Sequence, residues 1–115
     1  MHSLQAANNY AHCLLDLRRF DEAKALFRNT MPVARRVLGD SKDTTLKMRW
    51  NYASALYDDP AATLDDLREA VTTLEDTERT ARRVLGGAHP LVVDMERHLQ
   101  NARAVLRARE TPLGK

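Results

Sequence analysis

Glycine and proline are scarce in this chain, four of each among 115 residues, and nearly all of them fall between stretches of periodic apolar residues. That distribution disfavours many short strands joined by tight turns and predicts long helices with short joints. The single cysteine, Cys13, excludes an internal disulfide, and its neighbours Ala11, Leu14 and Leu15 predict a small buried thiol rather than a nucleophile. No apolar run approaches the ~18 residues of a membrane span. The opening Met1-His2-Ser3-Leu4-Gln5 has neither the basic nor the apolar region of a secretory signal, so a cytoplasmic setting is expected. An excess of one charge is also missing: 18 Lys and Arg face 16 Asp and Glu, a formal charge of +2. Strong non-specific attraction to nucleic acid is therefore not expected.

What is present is an echo. Arg35-Arg36-Val37-Leu38-Gly39 returns as Arg82-Arg83-Val84-Leu85-Gly86, each time closing a long amphipathic stretch, and such self-similarity marks a repeat architecture. With 43% hydrophobic and 30% charged residues, one all-α domain over 1–110 is expected, followed by a flexible tail over 111–115. Helical periodicity divides it into about five helices. The first covers 3–16, with Ser3 placed to cap it and Leu4, Ala7, Ala11 and Leu14 or Leu15 on one side. After a joint at 16–18, the second carries Phe20, Ala23, Phe27, Thr30, Ala34, Val37 and Leu38 and stops at Gly39. Pro32 predicts a kink within it, because a ring without an N–H opposes the Arg28 carbonyl. The third covers 43–57, with Leu46, Ala53 and Leu56 on one side and Met48, Tyr52 and Ala55 beside them. Thr63 and Asp66 form a capping-box-like pair opening the fourth, 64–85, striped by Leu67, Ala70, Val71, Leu74 and Ala81. The fifth starts at Pro90 and carries Val93, Leu99, Ala102, Val105 and Leu106.

Asn9-Tyr10-Ala11 falls on Asn51-Tyr52-Ala53 at a shift of 42 residues, whereas Phe20-Asp21-Glu22-Ala23 falls on Leu67-Arg68-Glu69-Ala70 at a shift of 47. The difference is an insertion around 58–63, in the joint between the third and fourth helices, where length is tolerated. The repeats run approximately over 1–39, 40–86 and, as a half repeat, 87–110.

These residues resemble the tetratricopeptide repeats, specifically the longer type found in kinesin light chains. The small and large positions of that family occur as Ala11 with Ala23, Phe27 and Thr30, and again as Ala53 with Ala70, Leu74 and Thr77. Leu85-Gly86-Gly87-Ala88-His89-Pro90 is similar to the light-chain joint, while Leu38-Gly39-Asp40-Ser41-Lys42-Asp43 lacks its His-Pro. The resemblance implies a right-handed α-solenoid of antiparallel helix pairs, with first helices lining a concave face. Each pair is amphipathic and cannot bury its stripe alone. At least three units are usually needed, so apolar surface at the ends is expected to be covered by further repeats or by a second copy.

Catalysis finds no footing. His2, His12, His89 and His98 have no partners at metal-ligand spacing, and His12 and His98 are expected on the surface or in the groove. No phosphate loop or nucleophile elbow is present, and Asp58 with Asp59 and Asp65 with Asp66 suit helix ends. Neither a cofactor, a metal nor a small-molecule substrate is predicted. Arg79, Arg82, Arg83, Arg97, Arg103, Arg107 and Arg109 suggest an RNA-binding strip as a rival, but aromatics for stacking are missing there and Glu69, Glu75, Glu78, Glu96 and Glu110 dilute its field.

A scaffold that binds an extended peptide of a partner protein is the leading expectation, and a structural segment of a longer array is the second. In the family, the Asn of the Asn-x-Ala triplet often bonds a peptide backbone. The matching residues are Asn9 and Asn51, whose amides offer donor and acceptor; the alternative is that they bond neighbouring helices. Asp16, Lys47, Trp50, Ser54 and Arg97 are the candidate selectors, with Trp50 expected to be a partly exposed ring. Relatives that clamp a C-terminal carboxylate place Lys and Arg where this chain has Asp94 and His98, so an internal segment is the expected ligand.

Overall fold

Several helix ends of this chain are set by a local device that the sequence supplies. The computed structural model describes residues 2–111 and contains α1 (His2–Asp16), α2 (Phe20–Val37), α3 (Asp43–Tyr57), α4 (Leu64–Leu85) and α5 (Pro90–Glu110), with no strand among the described residues. The Ser3 side chain, expected as a cap, and positions 112–115 of the expected tail lie outside the described residues. Gly39 and Gly86, the two ends of the sequence echo, share a φ of 92°, a backbone conformation open to glycine and strained for other residues. α1 ends without glycine. Arg18 takes φ 59°, while the N–H of Arg19 bonds the Leu14 carbonyl at 2.8 Å and that of Arg18 bonds Leu15 at 2.9 Å. This is a Schellman ending with arginine in the left-handed position. α4 opens on a capping box, the Asp66 N–H donating to Thr63 Oγ1 at 3.0 Å and the Thr63 N–H donating to Asp66 Oδ2 at 3.1 Å. α2 runs on through Pro32 as one helix.

Consecutive helices pack against one another, forming a stack of the tetratricopeptide-like helical solenoid kind. Its shortest dimension is 21 Å, about two helix diameters. α1 approaches α3, and α3 approaches α5, whereas α2 and α4 make no close backbone approach to each other. The layer whose members touch is the inner side of a curve, so α1, α3 and α5 line the concave face.

The core joins Leu14, Ala23, Phe27, Tyr52, Leu56, Ala70, Leu74 and Leu99 across all five helices, with a second cluster of Leu46, Ala81, Val92 and Met95. Three expectations are corrected here. Cys13 is exposed, not buried: it lies about 200° around α1 from the buried Ala11. Val37, the last stripe residue of α2, is also exposed. On α5 Leu99 and Ala102 are buried as expected, but Val93 and Val105 are exposed. Val92 is 0% and Val93 47% exposed, because the buried set Val92, Met95, Leu99 and Ala102 follows helical spacing that Val93 and Val105 do not.

The insertion is tied down rather than loose. Lys24 Nζ reaches Asp59 Oδ2 at 3.4 Å, Ala62 is buried, and Arg109 Nη1 donates to the Ala62 carbonyl at 2.8 Å. The buried face of α5 makes a direct expectation. Met95→Ala should lower unfolding stability by roughly 2–5 kcal/mol, whereas Val93→Ala should stay within about 0.5 kcal/mol. Urea denaturation of the two variants checks it, and equal losses would contradict the packing.

Candidate functional site

α1 and α3 lie side by side and run the same way. Thr44 Oγ1 donates to Gln5 Oε1 at 3.1 Å near their starts, and Asn51 Nδ2 donates to Asn8 Oδ1 at 3.3 Å midway. Between them and α5 opens a groove of about 600 Å³. The residues facing it repeat under the 42-residue shift, as Gln5 with Lys47, Asn8 with Trp50, Asn9 with Asn51, His12 with Ser54 and Asp16 with Asp58. One helical face, at steps of three and four, therefore builds each wall.

Six of the sequence-predicted residues, Asn9, Asn51, Trp50, Lys47, Ser54 and Asp16, line this groove, and Arg97 does not. Arg97 instead stands on the outer side of α5 beside Val93 and Gln100, paired with Asp94 at 2.7 Å. The reason is positional. On α1 and α3 the equivalent positions, Asn8 and Trp50, each face the next first helix, and no described helix lies beyond α5. Trp50 is half-buried. Asn51 spends one amide hydrogen on Asn8, so part of its role is to bond a neighbouring helix, while Asn9 is exposed.

Sequence reasoning passed over Asn8, Gln5, Leu15 and Asp58, and it placed His98 only as a surface or groove residue. The signal was available. The shift of 42 carries Asp16 onto Asp58, and the shift of 47 carries Asn51 onto His98. His98 meets the edge of Trp50 at 5.1 Å between ring centres, and its Nδ1 lies 2.6 Å from the Tyr57 hydroxyl.

Burial lowers the pKa of His98, the nearby Asp58 opposing it only in part. Burial also raises the Asp58 carboxyl, against the weaker pull of His98 and Arg18, and lifts the Tyr57 hydroxyl far above its ordinary range. A pKa below the ordinary histidine value favours the uncharged imidazole at neutral pH, whose Nδ1 shares a hydrogen bond with the Tyr57 hydroxyl. Among the described residues no cluster of three or more His, Cys, Asp or Glu could hold a metal, and no helix is long and apolar enough to cross a membrane.

The His98 shift gives a signed pH dependence. A base whose folded pKa lies below its unfolded value takes up its proton more readily when unfolded, so its contribution to stability is complete above the unfolded pKa and is lost as pH falls toward the folded one. NMR titration should place the His98 midpoint below the ordinary histidine value of about 6.5. His98→Ala should remove that part of the acid-side slope in denaturation measured at successive pH values. An ordinary or raised midpoint would refute the assignment.

The family model of the tetratricopeptide repeat matches residues 3–43, which hold α1, α2 and the joint to Asp43. No curated protein and no solved structure matches the chain at a significant level. The match covers the first helix pair, the five-helix stack is of the same helical-repeat kind, and tetratricopeptide repeats generally mediate protein–protein interaction.

Proposed function

We propose that this chain is an interaction module that holds an extended internal segment of a partner protein in the groove of α1, α3 and α5. α1 with α2 and α3 with α4 form two repeats, and α5 opens a third of the light-chain type, whose mark is the Leu85 to Pro90 joint. The observation that carries the reading is the convergence of Asn9, Asn51, Trp50, Lys47, Ser54 and Asp16 on one groove. The exposed Asn9 amide and the half-buried Asn51 amide suit a peptide backbone, whose N–H and C=O groups are the same whatever the side chains. The arginines speak against an RNA surface. Arg79, Arg82, Arg97 and Arg103 each sit within 4.0 Å of a carboxylate, which weakens the field that would draw in phosphates.

Peptides selected from a random display library provide the test. Asn9→Ala and Asn51→Ala should each weaken their binding by roughly 1–3 kcal/mol. Asn9→Ala should leave thermal stability unchanged, whereas Asn51→Ala also removes the bond to Asn8. An unchanged affinity in the double variant would overturn the groove as the binding site.

A second reading, a segment that stacks on further repeats or on another copy, is favoured by one face of α1. Tyr10 and Leu17 are 58% and 66% exposed, and Cys13 lies on the same stripe. A stacked neighbour would cover that face. Sedimentation should then show concentration-dependent association. A strictly monomeric chain that binds no hydrophobic dye would contradict this reading.

A further inference from the structure

Every Asp and Glu side chain sits within 4.0 Å of a Lys or Arg nitrogen among the described residues, except Asp16, Asp43, Asp58 and Asp66. Two of the four are accounted for by helix N-termini. Asp43 opens α3 and Asp66 closes the capping box of α4, where partial positive charge favours a carboxylate. The other two occupy the opposite kind of place. Asp16 is the last residue of α1 and Asp58 the C-cap of α3, where the helix dipole is negative and a carboxylate is disfavoured.

No basic residue stands in the last turn of α1 or α3, although α2, α4 and α5 each carry two arginines there. Asp16 has only His12, 3.6 Å away, an imidazole that carries charge only when protonated. The Asp58 side chain has no hydrogen bond or ion pair among the described residues, its backbone N–H alone bonding the Ser54 carbonyl. Arg18, whose charge acts on Asp58, lies over the Phe20 ring at 5.2 Å instead, and burial lowers the pKa of His98. Both carboxylates face the same groove, at equivalent positions of successive copies. Lys47 lies eleven residues before Asp58, about 16 Å away along the helix, so it belongs to the other end.

A second observation concerns Asn8. It lines the groove with only 6% exposure; its Oδ1 accepts from Asn51, and its own amide hydrogens have no acceptor among the described residues. No buried side-chain nitrogen or oxygen lacks a partner among the described residues, so the Asn8 nitrogen reaches the groove's solvent and can donate to a peptide carbonyl that displaces water.

We infer that the Asp16 and Asp58 end of the groove receives a Lys or Arg side chain of an extended internal peptide, whose backbone carbonyl is taken by the Asn8 amide. This rests on the groove being a peptide site and adds the chemistry of its ligand. The basic head satisfies two carboxylates and two helix C-termini at once. Its aliphatic stem lies against the groove wall, where Leu15 offers apolar contact.

The test uses a random twelve-residue library displayed on phage and selected in parallel on the native chain and on the Asp16→Asn, Asp58→Asn double variant. Removing two carboxylates from helix C-termini should leave the melting temperature equal or higher, so the variant is a folded control. Peptides enriched on the native chain should share a Lys or Arg at one position, and that preference should vanish on the variant while peptides are still captured. A selected peptide resynthesised with an acetylated N-terminus and norleucine in place of that residue should bind the native chain at least about tenfold more weakly, and the variant about equally well.

Enriched peptides with no basic position, alike on both proteins, would overturn the inference and leave the peptide site standing. Loss of binding on acetylation alone would overturn it in favour of a terminal amine. Capture of no peptide by either protein would remove both the inference and the peptide reading beneath it.

Discussion

α3 is the constraint on which the rest of this structure depends, because all four other helices pack on it. Its fifteen residues place Thr45, Leu46, Met48, Arg49, Tyr52, Ala53, Ala55 and Leu56 in buried positions. Burial on so many sides leaves one narrow strip, Lys47, Trp50 or Asn51, Ser54 and Asp58, free to meet solvent. That strip is the floor of the groove. The groove is therefore not carved into the fold by a loop; it is what remains of a central helix once its neighbours have covered everything else. Packing and site are fixed together, since a turn of α3 that moved Asn51 would also pull Leu56 or Met48 from the core.

The neighbours on the convex side lock that rotation with polar groups. Arg28 Nε on α2 donates to the Tyr52 hydroxyl at 3.1 Å, and that hydroxyl donates to Glu69 on α4. Burial, with the Glu69 bond next, holds the Tyr52 hydroxyl above its ordinary pKa, so it remains a donor at physiological pH. The Tyr52 ring itself meets Phe27 edge-on, 6.2 Å between centres. One side chain thus joins three helices, and its orientation sets the direction in which Asn51, its neighbour in sequence, enters the groove.

Much of this was legible in the letters. The ends of α3 and α4 follow from Asp43, the Asp58-Asp59-Pro60 run, Thr63 with Asp66, and Gly86, each a local rule that acts before tertiary packing does. The walls of the groove follow from the repeat shift, because equivalent positions of a solenoid face the same way. What local pattern leaves open is rotation about a helix axis where apolar residues are adjacent. Val92 and Val93 are chemically alike, and only contact with Leu46 and Ala81 across the joint decides which is buried. Cys13 fails for the same reason, since Ala11 and Leu14 beside it fill the core and position 13 turns away. Arg97 fails differently: equivalence to Trp50 holds, but the helix that Trp50 faces has no counterpart beyond α5 among the described residues.

Natural sequences tend to agree with themselves at every level, and departures gather where something other than stability is being served. Helix ends in this chain mostly obey the dipole, with arginines closing α2, α4 and α5 and carboxylates opening α2, α3 and α4. The departures are two, and they adjoin one another. Two carboxylates sit at the negative ends of α1 and α3, and Arg18 adopts the left-handed conformation that glycine takes at Gly39 and Gly86. Arg18 is near enough to act on the pKa of Asp58, yet its turn and its stacking on Phe20 hold it beyond ion-pair range. A glycine there would remove the backbone strain and the cation together. The strained turn thus leaves a fixed positive charge beside the acidic end without neutralising it, and that limits how strongly two carboxylates can repel each other before a cation arrives.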